Sequence, residues 1–378
     1  MFNFDAETLE KYGAVKTYEE ITQQPKLWKE TLEIYNDNID AINTFLNSID
    51  DPNLKVIFTG AGTSEYVGNI IEDYLNMHGR YNFVSIATTD IVSNPGLYLK
   101  KDVPTLLVSF ARSGNSPESL AAVNLANKLV DNIYHMAITC ASEGRLAVDL
   151  KDEENALVLL MPDKSNDLGF AMTGSFTCMM LSALLIFDQS TDQNNIVKSI
   201  VELGENAISK QKELEGYINF DFNRIVYLGS GPLYKLTNEA RLKILELTAG
   251  EVVTCNESSL GFRHGPKSFI DENTFVVSFI SGDDYTKKYD MDILEEIYAD
   301  KICKKILSIS FNDIEAPWDM LEFDSKNEIS DMYLCFPLAI IVQFIALMTA
   351  LKIGNSPDNP SKTGTVNRVV KGVVIHEL

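Results

Sequence analysis

The residues best suited to chemistry lie where a short apolar run gives way to small polar side chains. Ser113 and Ser116 flank Gly114, between the apolar run 105–108 and a helical pattern that begins at Glu118. The first turn of a helix presents unpaired N–H groups and the positive end of its dipole. Serine hydroxyls add donors, and glycine lets the backbone approach a ligand closely. The stretch therefore predicts a phosphate-type anion site, although a plain polar strand–helix turn would also fit.

A second loop of the same kind follows the apolar residues 54–59. It ends a G-x-G pattern at Gly62 and continues with Thr63 and Ser64 into a helical pattern. The G-x-G pattern is typical of a dinucleotide fingerprint, but Glu65 stands where the third glycine would fall. The loop therefore predicts a second anion-facing turn rather than a nucleotide site.

Two further residues could move protons. Glu246 interrupts an otherwise apolar helix end, and an apolar wall around this carboxylate would make it a stronger base. His264 lies in an Arg-His-Gly-Pro sequence, a loop setting that would fix an imidazole. The alternatives are a surface carboxylate and a structural histidine. No two histidines have metal-ligand spacing, so we expect no metal and no cofactor.

The elements that must position these residues alternate between apolar runs and helical periodicity. This alternation favours a parallel sheet covered by helices on both faces. The predicted strands of the first half lie at 54–59, 81–87, 105–109, 135–140 and 156–160. The predicted helices lie at 66–77, 118–128, 167–188 and 196–216. Upstream, residues 17–50 predict two helices, the first opened by a capping box at Thr17 and Glu20.

The second half of the chain repeats the first. Gly229 in the second half corresponds to Gly60 in the first. The run 277–279 corresponds to the run 108–110, and the number of residues between the members is the same in both cases. Two matches at one offset indicate two copies of one strand–loop–helix domain. Where the first copy has its serine-rich loop, the second has two aspartates at 283–284, which would repel a phosphate. We therefore expect one phosphate site per chain.

Composition narrows the possible partners and the compartment. The chain has 378 residues and a formal net charge of −22, which disfavours nucleic acid and anionic membranes as partners. Its five cysteines form no C-x-x-C pair, which is typical of a reducing compartment. Residues 1–7 are acidic and lack a signal-peptide pattern, so we expect a cytoplasmic protein.

One apolar run has the length and composition of a membrane-spanning helix. Residues 332–350 carry no charge over a length that could cross a bilayer. Pro337 and Gln343 interrupt the run, and no basic cluster flanks one side of it. We therefore expect a buried core helix.

Five motifs together resemble the sugar isomerase (SIS) family in its form with two tandem domains. They are Gly60-Ala61-Gly62-Thr63-Ser64, Arg112-Ser113-Gly114-Asn115-Ser116, Glu246, Arg263-His264-Gly265-Pro266 and Asn359-Pro360-Ser361-Lys362. The chain is similar to the isomerase half of glucosamine-6-phosphate synthase. The amino-acid sequence of residues 245–250 and 260–266 most resembles that of the AgaS-type group. Members of this group are described as tagatose-6-phosphate ketose/aldose isomerases or galactosamine-6-phosphate deaminases.

The resemblance implies an α/β fold with two tandem SIS domains, each a parallel sheet flanked by helices in a flavodoxin-like three-layer α/β/α arrangement. It implies N-terminal helices over 1–50, a first domain over 51–200, a second over 201–350, and a tail over 351–378 that closes the active site. It also implies a homodimer, or a tetramer, whose active sites are shared between subunits.

The resemblance also assigns site residues. The implied phosphate-binding residues are Gly62, Thr63, Ser64, Arg112, Ser113, Asn115 and Ser116. Glu246 would be the base, His264 from a neighbouring subunit would open the sugar ring, and Lys362 would lie near the open-chain sugar. Because the spacing from Glu246 to His264 is about two residues longer than in the synthase, Glu257 stays an alternative base.

The implied reaction moves a proton from C2 to C1 of a 2-amino-sugar 6-phosphate. The amine becomes an imine, and water releases ammonia to leave a ketose 6-phosphate, so we expect both an isomerase and a hydrolase. A plain isomerase of tagatose or galactose 6-phosphate is the first alternative. A sugar-phosphate-sensing SIS protein is the second, but no helix-turn-helix extension is evident.

Overall fold

A computed structural model describes residues 4–49, 51–323, 329–370 and 372–378. The chain divides into two compact units. We name residues 26–168, 172–197 and 365–378 the first unit, and residues 1–25, 169–171 and 198–364 the second unit. The domain boundaries expected from the sequence stay predictions.

The described residues form helices and strands in close alternation. The strands are β1 (Lys55–Thr59), β2 (Asn82–Ser85), β3 (Thr105–Ala111), β4 (Ile133–Thr139), β5 (Ala156–Leu160), β6 (Arg224–Gly229), β7 (Val253–Ser258), β8 (Thr274–Phe279), β9 (Lys305–Ser310) and β10 (Asp319–Glu322). The helices are α1 (Ala6–Tyr12), α2 (Val15–Thr22), α3 (Gln24–Ser48), α4 (Thr63–His78), α5 (Thr88–Ser93), α6 (Pro95–Tyr98), α7 (Pro117–Leu129), α8 (Arg145–Leu150), α9 (Gly174–Phe187), α10 (Gln193–Ser209), α11 (Gln211–Ile218), α12 (Gly231–Leu247), α13 (Thr286–Asp300) and α14 (Asp331–Lys352). Short 3₁₀ turns cover Asp163–Ser165, Gly261–His264 and Pro266–Phe269.

The first unit is built on a five-stranded parallel sheet in the order β2-β1-β3-β4-β5. The central strand β3 is buried along its whole length, as its continuous apolar sequence requires. Residues of α7 and α8 pack on one face of this sheet around Leu107 and Ala137. The strand order reverses between β1 and β3, so the loops that follow these two strands lie side by side.

The second unit repeats this sheet. Its five parallel strands run β10-β9-β8-β6-β7, which is the same order read from the other edge. The separation along the chain between the first residues of β1 and β6 equals that between the first residues of β3 and β8. The α/β fold with two tandem parallel sheets is therefore confirmed.

The long apolar run is the helix α14. By length and composition it could cross a membrane, but the most apolar part of the helix is completely buried. Pro337 lies within the helix without ending it. The prediction of a buried core helix is confirmed.

The predicted capping box near the N-terminus is wrong. Helix α2 begins at Val15, two residues before Thr17. The Thr17 N–H and hydroxyl both donate to Oδ1 of Asp358 over 2.8 Å. The Glu20 carboxylate accepts the Gly169 N–H instead of one at its own helix start. Long-range partners within the second unit have replaced the local ones.

Candidate active site

The first unit holds the predicted anion loops at the carboxyl ends of β1 and β3. We name the space bordered by residues 60–64 and 112–116 the first crevice. Open α/β sheets bind ligands at such positions, where the strand order reverses. Gly62 adopts a φ of 58°, a conformation that favours glycine, and directly precedes α4. Thr63 and Ser64 form the first turn of that helix, so their N–H groups belong to its positive end.

The serine-rich loop forms the other wall of the first crevice. Gly114 adopts a φ of 64°, and Ser116 precedes α7 without its hydroxyl capping that helix. Asn115 serves the loop itself, because its Oδ1 accepts the Arg145 N–H over 3.0 Å. The hydroxyl of Ser113 accepts the Asn115 N–H over 3.3 Å. The loop is therefore held from within and still presents hydroxyls beside a helix N-terminus.

Arg112 gives the first crevice a buried cation. Only 7% of the residue is exposed, and its Nη2 donates to the carbonyl of Arg368 over 2.6 Å. Arg368 in turn donates from Nε to the Asp167 carbonyl over 2.9 Å. The tail of the first unit thus packs on Arg112. Its role in phosphate binding stays a prediction.

The equivalent position of the second unit carries different chemistry. We name the space bordered by residues 229–231 and 281–285 the second crevice. Ser230 and Ser259 donate hydroxyl hydrogen bonds to Oδ1 of Asp290 over 2.6 and 2.5 Å. The Ser281 N–H donates to Oδ2 over 3.0 Å. Burial raises the pKa of Asp290 above its ordinary value, against the effect of these donors. A carboxylate of the chain itself therefore occupies the donors of this crevice.

The two aspartates predicted to repel phosphate serve other purposes. Asp283 accepts the Thr286 N–H and hydroxyl, both over 2.8 Å, at the start of α13. Asp284 is highly exposed and pairs with Lys287 over 2.7 Å. Negative charge does fill the second crevice, but it comes from Asp290 and from Asp331, which accepts the Ser281 hydroxyl over 2.6 Å and the Gly282 N–H over 2.7 Å.

Glu246 lies in the last turn of α12, and its environment differs from the expected one. The predicted apolar wall is wrong, because Oε2 lies 2.5 Å from Nζ of Lys243. Lys243 is fully buried, and its Nζ also lies 3.2 Å from Oε1 of the buried Glu239. Burial lowers the pKa of Lys243, but the two carboxylates outweigh it and raise the pKa above the ordinary value. Glu246 is thus a carboxylate oriented by an ammonium.

The sequence interpretation missed Glu239 and Lys243. A signal was present, since residues 239, 243 and 246 follow one helix face with alternating charge in a largely apolar segment. Only complete burial distinguishes such a set from an ordinary surface ion-pair network.

Glu257 lies on the edge strand β7. Its Oε1 accepts the Ser258 N–H over 2.8 Å and the Ser258 hydroxyl over 3.2 Å. Burial and the nearby Glu257 carboxylate raise the pKa of Tyr234. Glu257 is held by its own strand, and the choice between it and Glu246 stays a prediction.

His264 ends the short 3₁₀ turn Gly261–His264 with its side chain exposed. Flanking ion pairs fix the loop, since Arg263 Nε lies 2.7 Å from Glu296, and Lys267 pairs with Glu296 and Asp300. The imidazole is therefore presented on the surface of the second unit from a firmly held loop.

Lys362 lies on a turn that packs against the end of α12. The side chain is 66% exposed and lies 3.8 Å from Glu251. Nδ2 of the buried Asn355 donates to the Leu247 carbonyl over 2.8 Å and to the Pro360 carbonyl over 3.3 Å. The second unit therefore places the Lys362 turn next to the helix end that carries Glu246.

The predicted residues fall into two sets. The first unit holds Gly62, Thr63, Ser64, Arg112, Ser113, Asn115 and Ser116, and the second holds Glu246, Glu257, His264 and Lys362. Within the described ranges, no three His, Cys, Asp or Glu side chains form a group that could hold a metal ion.

Comparisons with known proteins match one family model to part of the chain and several relatives to nearly all of it. The SIS domain model matches residues 48–187. The D-galactosamine-6-phosphate deaminase AgaS of Shewanella sp. (strain ANA-3) is 41% identical over 98% of this chain and 94% of that protein. The tagatose-6-phosphate ketose/aldose isomerase of Escherichia coli is 40% identical, with a TM-score of 0.90 over 96% of each chain. A Clostridium novyi NT structure, provisionally described as the same kind of isomerase, is 43% identical with a TM-score of 0.95 over 100% of this chain and 99% of that one.

These names correct one expectation. The relatives are named a deaminase and ketose/aldose isomerases, so the expected classification as a hydrolase is wrong. The sequence identity to these relatives extends across both units of the chain. The chain belongs to the SIS domain family and, within it, to the group of sugar-phosphate deaminases and isomerases that includes these Shewanella and Escherichia coli proteins.

Proposed function

We propose that this protein is a cytoplasmic enzyme that converts galactosamine 6-phosphate to tagatose 6-phosphate and ammonia. The first crevice supports the proposal, because two hydroxyl-bearing loops meet there at two helix N-termini. A sugar 6-phosphate is a ligand that such a crevice would recognise. The relatives named as galactosamine-6-phosphate deaminases support the choice of substrate.

In this proposal the first unit binds the phosphate. Ser64, Ser113 and Ser116 donate hydroxyl hydrogen bonds to phosphate oxygens, and the backbone at Gly62 and Thr63 adds N–H groups. Arg112 supplies positive charge, and Asn115 holds the serine-rich loop in shape. Local donors and one cation are needed because the chain as a whole carries a net charge of −22.

The second unit supplies the acid–base groups. His264 opens the sugar ring, which gives a C1 aldehyde next to the C2 amine. Oε1 of Glu246 removes the C2 proton and returns a proton to C1 through an enolamine. Lys362 lies near the open-chain sugar and stabilises its developing charge.

The proton shift leaves a hydroxyl group on C1 and an imine at C2. Water adds to the C2 imine, and the C–N bond breaks to release ammonia. The product is a ketone at C2, so galactosamine 6-phosphate yields tagatose 6-phosphate. Without the amine, the same C2-to-C1 shift would interconvert an aldose and a ketose.

We also propose a homodimer in which His264 acts in the site of the neighbouring subunit. Exposure of His264 on a fixed loop supports this arrangement. Mixing inactive Glu246→Gln and His264→Asn chains should then recover about a quarter of wild-type activity, since half of the dimers would contain one intact site. Failure to recover activity on mixing would contradict shared sites.

The decisive experiment measures ammonia and ketose from galactosamine 6-phosphate and, separately, from glucosamine 6-phosphate. We expect both products from the galacto substrate, with a kcat/KM at least tenfold above that for the gluco substrate. Absence of both products from either sugar would overturn the proposal.

A plain isomerase is the second candidate, because the Escherichia coli relative is named a tagatose-6-phosphate ketose/aldose isomerase. It predicts aldose formation from tagatose 6-phosphate and no ammonia from galactosamine 6-phosphate. The same assays therefore separate the two reactions.

A further inference from the structure

We propose that Glu239 is a positioning residue for the base Glu246 and that it acts through the buried Lys243. This inference rests on the proposed function. The three side chains follow one face of α12, with Glu239 and Lys243 four residues apart and Lys243 and Glu246 three apart. Nζ of Lys243 lies 3.2 Å from Glu239 and 2.5 Å from Glu246.

The difference in burial along this face indicates that the two inner residues position the outer one. Glu239 and Lys243 have fully buried side chains, whereas 23% of the Glu246 side chain is exposed. A fully buried ammonium is stable only with paired charge. Glu239 supplies that charge from the buried side, so Lys243 stays protonated beneath Glu246, the one partly exposed carboxylate of these three side chains.

The pairing also selects one oxygen of the base. Oε2 of Glu246 is held by Lys243, and no described residue donates a hydrogen bond to Oε1. Oε1 is therefore the proton-accepting atom. A carboxylate in the last turn of a helix faces the negative end of the dipole, and the Lys243 ammonium offsets that repulsion. Glu239 thus fixes the orientation of the base through Lys243.

The first unit lacks this arrangement. At the equivalent positions of the repeat, helix α4 carries Ile70, Tyr74 and Met77 in place of Glu239, Lys243 and Glu246. The repeated frame does not require a buried ion pair at this helix face. The set is therefore specific to the unit that carries the proposed base.

The test is steady-state kinetics of ammonia release by Glu239→Gln, with kcat expressed per folded chain from circular dichroism. We expect kcat to fall at least tenfold and KM to stay within twofold, because substrate binding does not use Glu239. The matched control is Glu30→Gln, which removes a partly exposed i,i+4 pair with Lys26. This control should leave both parameters within twofold.

A second variant guards against simple unfolding of the first. Glu239→Gln with Lys243→Met removes both buried charges, a change that folded proteins often tolerate. We expect this double variant to fold and to keep a kcat at least tenfold below wild type, since Glu246 has lost its ammonium. A kcat within twofold of wild type in either variant would overturn the inference. If wild-type protein releases no ammonia and forms no ketose, the proposed function fails instead.

Discussion

The two crevices occupy equivalent positions in two copies of one sheet but have opposite electrostatic character. Gly62 and Gly231 share a positive φ, of 58° and 53°, so the backbone turns are alike. In the first crevice, Ser113 and Ser116 border a space with Arg112 beside it. In the second, the serine donors are bound to Asp290. The duplicated backbone thus has the geometry of an anion-binding turn, and in the second unit a carboxylate of the chain accepts its donors.

The helices that follow these turns also differ in charge, and here the charged residues lie in the second unit. Helix α12 of the second unit carries the charged set Glu239, Lys243 and Glu246, whereas the corresponding face of α4 has no charge. Each unit therefore keeps one half of the proposed chemistry. In the proposed reaction, the first unit binds the anion and the second transfers the proton.

The largest expected effect comes from removing the proposed base. Glu246→Gln should lower kcat by about 10³-fold with a small change in KM, because a positioned general base typically contributes 10²–10⁴-fold. Ammonia release under saturating substrate measures this effect.

The rival carboxylate provides the matched control for that experiment. Glu257→Gln should leave kcat within about fivefold of wild type, because Glu257 is held by its own strand through Ser258. If the two variants show the opposite pattern, Glu257 is the base, and the division between the units rests on β7 instead of α12.

The next effect comes from giving the first crevice the charge of the second. Ser113→Asp should raise KM for the sugar phosphate by about 10²-fold, because a carboxylate next to phosphate costs several kcal/mol. Ser142→Asp is the matched control, since it adds the same charge at an exposed position nearby. A KM for Ser113→Asp that matches the control would place the phosphate elsewhere.

The reverse exchange tests the second crevice. Asp290→Ala should lower the free energy of unfolding by about 3 kcal/mol, because three donors lose their acceptor at about 1 kcal/mol each. Urea denaturation followed by circular dichroism measures this loss.

In the Ser113→Asp background, inorganic phosphate should stabilise the Asp290→Ala variant by occupying the freed donors. The matching Ser113→Asp protein with Asp290 intact should show no such dependence. Equal phosphate dependence in the two proteins would show that the second crevice is not an anion frame.

The sequence predicted the frame of the molecule well, because strand runs and glycine turns are local signals. Gly60 and Gly229 located the repeat, and the structure has the same strand order in both copies. The hydrogen-bond and ion-pair partners of individual side chains were less predictable. The i,i+3 spacing places Lys243 beside Glu246 but does not show that Lys243 is buried. Nothing local indicates that Thr17 bonds Asp358 or that Asp290 reaches Ser230. These contacts depend on burial and on separations along the chain that periodicity does not encode.

A buried histidine extends the comparison to stability. His135 on β4 pairs in register with Leu107, and the matching pair of the second unit is Ile306 with Val276. The first unit thus buries a titratable ring where the second buries an aliphatic chain. Burial lowers the pKa of His135 from 6.5 to about 4, so the folded protein resists protonation that the unfolded chain accepts.

The sign of the pH effect follows from this difference. Stability from the neutral ring is fully present above pH 6.5 and is lost as the pH falls toward 4. Between pH 7 and pH 5 the free energy of unfolding should fall by about 2 kcal/mol from this residue. His135→Ile, which copies the second unit, should remove that part of the pH dependence in urea denaturation. If the free energy of unfolding depended on pH in the same way for wild type and variant, His135 would titrate alike in the folded and unfolded chains.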